Sequence, residues 1–420
     1  MTIGTVSLNH LAHLYGVQTA YYDIARHRQM AAPEPLMAVL RALGAPVSSL
    51  EDVPAALREC QQAQWQRCLE PVIVAWDGEP PPVTVRLPVH LADTHLNGYV
   101  KLESGEQIRL EFKDRPTTEA VDIEGTRYVA QQLSLPPHLP PGYHQFTLEL
   151  PGKPAEALII SAPTRAYAPD QPGPGRWGVF LPLYALYRKN SWGSGDFSDL
   201  AALMTWVGDK GGKVVSTLPL LPTFLDEPFD PSPYRPVSRL LWSEFYLDVT
   251  EVPELSKCPS AQAILSSASF QAELEAVRQL PRVDYRRQMA LKRRALEELC
   301  RCCFAGASDR LDSLQRFADE HPVVEDYARF RAAVEKQRSL WPSWPSPLRE
   351  GILTEVDYDE SVRRYHLYVQ WLAHQQVGEV AQKAGELGVG LQLDLPLGAH
   401  PEGYDTWRNQ DIFIHDVDMG

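Results

Sequence analysis

The sequence predicts an α/β protein whose C-terminal part is built on a parallel sheet. Apolar segments at 178–186 and 213–222 each run into a polar loop, and an amphipathic stretch at 199–209 separates them. A strand, a helix and a strand in this order form a βαβ unit, whose strands are parallel. A third apolar segment, 388–398, again runs into a polar loop. Because loops at the carboxyl ends of parallel strands line the ligand site in such folds, we expect the site in these three loops.

The composition limits the classes of protein to which the chain can belong. At 420 residues with 44% hydrophobic residues, it should form two or three globular domains. A net charge of -14 gives no attraction to nucleic acid or anionic lipid. Residues 1–9 contain no basic segment followed by an apolar run, and no apolar stretch reaches the length of a membrane span. A cytoplasmic protein without membrane or nucleic-acid partners is therefore expected.

The six cysteines are interpreted from this setting. Without a secretory signal, cysteines in a chain of this length are expected to be reduced thiols. Cys300, Cys302 and Cys303 lie close together on a predicted helix, but no second Cys or His pair stands near enough in sequence to complete a zinc site. Partly buried helical cysteines are therefore expected, and no metal.

Residues 1–65 are predicted to be a helical segment with a packing role. Leu36, Val39, Leu40 and Leu43 recur at helical spacing, and the pattern stops at Gly44.

Residues 66–168 are predicted to form an immunoglobulin-like, antiparallel β-sandwich, because short alternating segments follow one another between Pro, Gly and Asp turns. Its aromatic residues could stack on sugar faces, although packing in the core or rim is the commoner role of such residues; they are Trp76, Tyr99, Tyr128 and Tyr143. A linker is expected at 166–175, where Pro and Gly are frequent.

The third predicted domain, 176–420, contains a long interruption. Residues from about 250 to 350 are polar and carry helical stripes, whereas a βαβ core needs no such length. We interpret them as a helical insertion. A long helix through Tyr365 and Trp371 then leads into the third strand.

Several motifs, spaced along nearly the whole chain, resemble the 4-α-glucanotransferases of glycoside hydrolase family 77, also called amylomaltases or disproportionating enzymes, in their longer bacterial form. Single motifs such as Ser-Pro-Tyr are weak signals, but their ordered combination is specific. The matching residues are 178–185, Ser191-Trp192-Gly193, Gly195-Asp196-Phe197, 218–222, Pro231-Ser232-Pro233-Tyr234, Ser238-Arg239, Phe245-Tyr246-Leu247-Asp248, and 388–398 with Trp407.

The resemblance implies a (β/α)8 TIM barrel of which only the first strands are present. It also implies a retaining transglycosylase that moves α-1,4-glucan segments to the 4-hydroxyl of glucose or maltooligosaccharides through a covalent glucosyl-enzyme, without metal or organic cofactor. The carboxylates that serve the family as nucleophile and acid/base follow later strands, so catalytic residues are expected beyond Gly420. The chain alone is therefore expected to be nearly inactive.

The residues that the resemblance assigns to substrate binding come from the first three strand loops. Tyr234 would pack its ring on a sugar, Ser232 would bond a hydroxyl beside it, and Asp394 would accept hydrogen bonds from donor hydroxyls. Trp192 and Trp407 are further candidates. Two weaker candidates have simple structural alternatives, a helix N-cap for Asp196 and an exposed loop histidine for His400; Tyr234 could instead be a buried turn tyrosine, and Asp394 a strand-end cap.

Two other functions are compatible with the sequence. A non-catalytic α-glucan-binding protein would explain a sandwich and aromatic loops without catalytic acids. An α-amylase-type hydrolase would share barrel and chemistry, but the stretch after Asp394 lacks the Asn-His pair of those enzymes.

Overall fold

The computed structural model describes residues 3–166, 177–305 and 309–414. The chain divides into two compact units, Met1–Gln171 and Pro172–Gly420. Nearly all of the predicted linker at 166–175 and the last residues, 415–420, lie outside the described residues. Among the helices that are described, none combines the length and apolar character needed to cross a membrane.

The first unit begins with a small helical core that also contains a hairpin. The hairpin was not predicted, because its strands are short and mostly exposed. Leu8, Leu11, Leu40 and Val53 form the centre of this core, as expected for an amphipathic helical segment. The elements are α1 (Ile3–Leu14), β1 (Ala20–Tyr22), β2 (Arg28–Met30), α2 (Pro33–Ala42) and α3 (Val53–Gln66).

A β-sandwich with its own core follows. One sheet has the strand order β3-β10-β9-β5-β6 and the other β4-β8-β7. Alternating residues such as Val83, Val85 and Leu87 are buried between the sheets. The strands are β3 (Val72–Trp76), β4 (Val83–Pro88), β5 (Leu96–Lys101), β6 (Gln107–Phe112), β7 (Thr117–Ile123), β8 (Thr126–Leu133), β9 (Gly142–Glu149) and β10 (Ala155–Ala162).

The prediction of a wholly antiparallel sandwich is wrong at one pair. β3 and β10 are parallel, with Val72 opposite Leu158. Parallel neighbours need a long connection, and here the rest of the sandwich supplies it. The two-residue period marks each strand in the sequence but does not give its direction.

The second unit contains the predicted parallel sheet. β11 (Gly178–Phe180), α4 (Phe197–Asp209) and β12 (Val214–Thr217) form the βαβ unit, and β15 (Gly390–Leu393) pairs in parallel with β12. The order is β11-β12-β15. Gly178 lies so close to β12 that an added Cβ would be 2.2 Å from Val214. The described sheet has these three strands and is not a closed barrel.

The predicted insertion is helical, and its residues share one large hydrophobic core with the sheet. Trp341 and Trp344 are buried in that core. The elements after β12 are the short ribbon β13 (Phe224–Leu225) and β14 (Phe229–Asp230), then α5 (Pro259–Ser266), α6 (Ala268–Arg278), α7 (Tyr285–Phe304), α8 (Asp309–Glu320), α9 (Pro322–Gln337) and α10 (Glu360–Leu387); α11 (Tyr404–Arg408) follows β15.

One expectation about the cysteines is corrected. Cys258 and Cys302 form a disulfide that ties the start of α5 to α7, whereas all six cysteines were expected to be reduced. The partners are 44 residues apart, and the fold rather than the local sequence brings them together. Cys300 and Cys303 are free and buried on α7.

Candidate functional site

The loops after the two adjacent strands β12 and β15 meet at Tyr234 and Asp394. The hydroxyl of Tyr234 donates a hydrogen bond of 3.0 Å to Oδ2 of Asp394, although the residues are 160 positions apart. Asp394 directly follows β15, and Tyr234 lies in the loop after the neighbouring strand. Because β12 and β15 are parallel, their carboxyl ends lie at the same sheet edge, which is where the two side chains were expected to meet.

Both side chains of this pair are open to solvent. Tyr234 is 50% exposed and is therefore not a buried turn tyrosine. Asp394 is exposed, and the partner of its carboxylate among the described residues is the Tyr234 hydroxyl. The hydrogen bond to the Asp394 carboxylate raises the pKa of Tyr234, which keeps the phenol protonated as the donor. Among the described residues, Oδ1 of Asp394 accepts no hydrogen bond and is available to a ligand hydroxyl.

A second set of bonds, which sequence reasoning missed, fixes the loops to each other. Asp405 of α11 accepts hydrogen bonds from the Ser238 hydroxyl at 2.7 Å and the Arg239 backbone N–H at 2.8 Å. The Arg239 guanidinium donates to the carbonyls of Pro396 and Leu397, both at 3.2 Å. Arg239 therefore spans from the Tyr234 loop to the Asp394 loop. In the sequence, Arg239 was marked only by the Ser238-Arg239 motif, to which no role was assigned.

Ser232 lies beside Tyr234 in a loop that Asp230 organises. Oδ1 of Asp230 accepts the Ser232 backbone N–H at 3.1 Å, and Oδ2 lies 3.4 Å from the Arg235 guanidinium. Oδ2 also lies 3.6 Å from Nε2 of His400. Ser232 is half-buried here, and its hydroxyl donates to no protein group in the described part of the chain.

His400 is buried, which corrects its interpretation as an exposed loop histidine. Its ring packs edge-on against Phe224 at 5.0 Å, and Nδ1 accepts the Glu402 backbone N–H at 3.1 Å. Burial lowers the pKa of His400 to about 4, with Asp230 opposing the shift and Arg235 adding to it. The neutral ring therefore carries its proton on Nε2, facing Asp230.

This pKa predicts a loss of stability in acid. Between about pH 6.5 and 4, His400 binds a proton in the unfolded chain but not in the folded one, so stability falls as pH falls. The loss is at most about 3 kcal/mol at the acid end. His400→Gln should remove this component, which urea denaturation of both proteins at about pH 7 and 4.5 would measure. The two proteins share every other titration, and equal pH dependence in both would contradict the assignment.

The first strand loop ends in the N-cap of α4 rather than in a ligand contact. Asp196 accepts the Asp199 backbone N–H at 2.9 Å, and Asp199 accepts the Asp196 backbone N–H at 3.1 Å, a complete capping box. Asp199 also accepts bonds from Ser191 and Arg188. Asp196 is buried, and burial raises its pKa to about 6 despite the nearby ammonium of Lys292.

The two tryptophans that the resemblance assigns to sugar contacts, Trp192 and Trp407, are both buried. Trp192 is buried against the edge of Phe270 on α6, with ring centroids 5.5 Å apart. Trp407 is 1% exposed, and its indole N–H donates to the Leu348 carbonyl at 2.9 Å. Neither ring has a face open to a ligand, because the insertion covers both.

The described His, Cys, Asp and Glu side chains are not clustered as metal ligands. Within residues 3–166, 177–305 and 309–414, no group of His, Cys, Asp and Glu side chains could hold a metal ion. The site at the sheet edge instead offers an aromatic face, a carboxylate and hydroxyls, which together suit a neutral polyhydroxyl ligand.

Comparison with known proteins decides the family. A family model described as 4-alpha-glucanotransferase matches residues 181–420, which is more than half of the chain. The chain belongs to the 4-alpha-glucanotransferase family. A second model, described as MalQ N-terminal beta sandwich domain, matches residues 68–163 and covers β3 to β10.

Some relatives of this family member align along nearly its whole length. It is 29% identical to the 4-alpha-glucanotransferase of Mycobacterium tuberculosis (strain H37Rv) over all of this chain and 59% of the relative. The Haemophilus influenzae 4-alpha-glucanotransferase is 24% identical over 99% of this chain and 58% of the relative. The amylomaltase structure from Corynebacterium glutamicum shares the fold, with a TM-score of 0.71, 24% identity, and coverage of 97% of this chain and 56% of that one. The chain thus spans less than two thirds of these relatives.

Proposed function

We propose that the protein is a 4-alpha-glucanotransferase that transfers α-1,4-glucan segments to the 4-hydroxyl of glucose or maltooligosaccharides. Tyr234 and Asp394 form the part of the donor site that this chain supplies. The observation that carries the proposal is the hydrogen bond between these residues at the carboxyl edge of the sheet, in the region that matches the family. A cytoplasmic location stays a prediction.

The three parallel strands are proposed to be the first strands of a (β/α)8 barrel. Two features support this: the strand order β11-β12-β15 with α4 and α10 as crossover helices, and the fold shared with the C. glutamicum amylomaltase. In a barrel of this kind the Tyr234 and Asp394 loops lie on the catalytic face.

The side chains of this chain bind and orient the sugar. The exposed Tyr234 ring offers an apolar face to the C–H face of a pyranose. Oδ1 of Asp394 accepts a sugar hydroxyl while Oδ2 stays bonded to Tyr234, and Ser232 adds a hydroxyl beside them. Arg239 holds the main chain that follows Asp394, so the carboxylate is oriented before the sugar arrives.

The reaction is proposed to be a retaining double displacement, in which a carboxylate attacks the anomeric carbon and the glucosyl group is then passed to an incoming hydroxyl. The described residues take no covalent part in it. Their contribution is to hold the donor sugar in the reacting geometry, and transfer prevails over hydrolysis where an acceptor excludes water.

Binding is tested by titrating the chain with maltoheptaose in a calorimeter. Tyr234→Ala should weaken binding at this site about tenfold or more, equivalent to about 1.4 kcal/mol, because it removes both the ring and the hydrogen bond. Tyr234→Phe keeps the ring and removes only the hydrogen bond to Asp394, so it should weaken binding less than Tyr234→Ala. Asp394→Asn should also weaken binding.

Tyr22→Ala is the matched control, because Tyr22 is an exposed tyrosine of the hairpin β1–β2 in the other unit. Unchanged maltoheptaose affinity in both Tyr234→Ala and Asp394→Asn would contradict the site. Transfer itself is tested by incubating the full-length protein with maltotriose and separating the products. Reducing sugar without longer oligosaccharides would indicate a hydrolase instead, and binding without any products would indicate a non-catalytic glucan-binding protein.

A further inference from the structure

The outer face of the five-stranded sheet in the β-sandwich carries an apolar surface. The register places Val72 beside Leu158, and Val74 beside Ile160, on neighbouring strands β3 and β10. Ile160 is in turn opposite Tyr143 on β9. The side chains that alternate with these, such as Ile73 and Ile159, are buried between the sheets. The apolar row therefore faces solvent on the opposite side of the sheet.

Trp76 and Tyr143 are the strongly exposed aromatic rings of this face. Trp76 is 55% exposed at the end of β3, and Tyr143 is 63% exposed on β9. In the described part of the chain, neither side chain makes a hydrogen bond or a contact with another ring or a cation. The two strands flank β10, so the rings are separated laterally by about 10 Å, twice the spacing of neighbouring strands.

A hollow with polar walls adjoins the Tyr143 ring. Its cavity volume is about 490 Å³, and its walls include Lys101, Gln145 and Glu156 together with Leu158. In the sheet register Gln145 lies between Leu158 and Lys101. The amide of Gln145 and the ammonium of Lys101 therefore lie next to the apolar row, on the side of β5. Glu156 precedes Leu158 on the same face. The surface thus changes from apolar at Trp76 to hydrogen-bonding at Lys101.

The chemistry of this face favours one class of occupant. The polar walls present one cation, Lys101, two carboxylates, Glu103 and Glu156, and the amide of Gln145, so a ligand of either charge would meet a like charge. A neutral ligand with many hydroxyls can donate to Glu156 and accept from Lys101 and Gln145. A pyranose also has an apolar C–H face that suits the rings of Trp76 and Tyr143.

We propose that the outer face of β3, β10 and β9 is a second α-glucan site, in which Trp76 and Tyr143 stack on sugar rings and Gln145, Lys101 and Glu156 bind their hydroxyls. The class of ligand rests on the proposed function, since an enzyme of α-1,4-glucans encounters such chains.

The test is calorimetric titration of the whole chain with maltoheptaose, using variants of each site. Wild type should bind two equivalents. The double variant Trp76→Ala/Tyr143→Ala should bind one, with about tenfold lower retention on insoluble amylose. Tyr234→Ala should keep one site of wild-type affinity and weaken the other about tenfold or more, and the three substitutions together should leave neither site with wild-type affinity. Tyr22 is an exposed tyrosine on β1, and the Tyr22→Ala variant should bind maltoheptaose and amylose as wild type does.

The outcomes separate the two proposals. If only the Tyr234–Asp394 site is wrong, wild type binds one equivalent of maltoheptaose. Trp76→Ala/Tyr143→Ala then binds none, and Tyr234→Ala binds as wild type does. If the double variant is folded by circular dichroism and binds as many equivalents as wild type, with equal amylose retention, the sandwich site is overturned. Wild-type self-association in sedimentation that the double variant loses, with maltoheptaose binding unchanged, would overturn it in favour of a contact between copies of this chain.

Discussion

Replacing Lys292 with alanine is expected to lower the free energy of unfolding by about 3–5 kcal/mol, the cost of removing one partner from a buried charged network. Lys292 is 1% exposed on α7. Its ammonium donates to the carbonyls of Phe245 at 2.5 Å and Leu247 at 2.9 Å. Alanine would leave both carbonyls buried without this donor and would open a cavity around them.

The charges around Lys292 increase the expected effect. Burial lowers its pKa, but Asp196, Asp248 and Asp199 oppose that shift and favour the ammonium form. In return, the Lys292 ammonium stabilises the Asp196 carboxylate, whose pKa burial raises to about 6. Without Lys292 the carboxylates lose their buried cation. Phe245 and Leu247, whose carbonyls Lys292 bonds, come soon after the Tyr234 loop in the chain. The substitution should therefore also loosen that loop.

Urea denaturation at neutral pH measures the change, with two matched variants as controls. Lys292→Met keeps most of the aliphatic volume of the side chain and removes the ammonium. Its decrease in the free energy of unfolding therefore reports the ammonium alone and should be smaller than the decrease in Lys292→Ala. Lys257→Ala removes an exposed lysine before α5 and should change stability by less than about 0.5 kcal/mol. Equal stability of Lys292→Ala and Lys257→Ala would show that the buried ammonium adds nothing net.

The parts of this fold that follow from local sequence were predictable. The two apolar segments that run into polar loops, and the amphipathic stretch between them, predicted β11, α4 and β12. This was possible because apolar residues recur at a different spacing in a strand than in a helix. The meeting of Tyr234 and Asp394 was also predictable, since residues that follow adjacent parallel strands converge at one sheet edge. Both inferences need only the order of elements along the chain.

The parts that depend on distant packing could not be predicted. Trp192 and Trp407 lie in or after polar loops, which in sequence suits a ligand contact, but helices of the insertion bury both. Nothing local marks the Cys258–Cys302 pair, or the parallel pairing of β3 with β10. Each of these features brings together segments that are far apart in the chain, and a periodic pattern does not specify such partners.

Trp407→Ala is expected to lower the free energy of unfolding by about 3–5 kcal/mol, as for other buried tryptophans. Its ring packs 5.0 Å from Phe330 and 6.2 Å from Trp344, and its N–H bonds the Leu348 carbonyl. Alanine would remove these contacts and leave a cavity among aromatic rings. Because Trp407 also holds α11, which carries Asp405, some loosening of the Arg239 connection should follow. Thermal and urea denaturation followed by circular dichroism measure the loss.

Stability and sugar affinity together decide between a core role and a ligand contact for Trp407. Under conditions where Trp407→Ala is folded, its maltoheptaose affinity should fall less than that of Tyr234→Ala, because the ring has no open face. Trp206→Ala is the control for loss of an indole, since Trp206 is half-exposed on α4, and it should lower stability by less than Trp407→Ala does. A Trp407→Ala protein of unchanged stability but reduced affinity would restore the sugar contact. The burial of Trp407 against α9 requires the opposite result, because a cavity in the core is costly whether or not a ligand is bound.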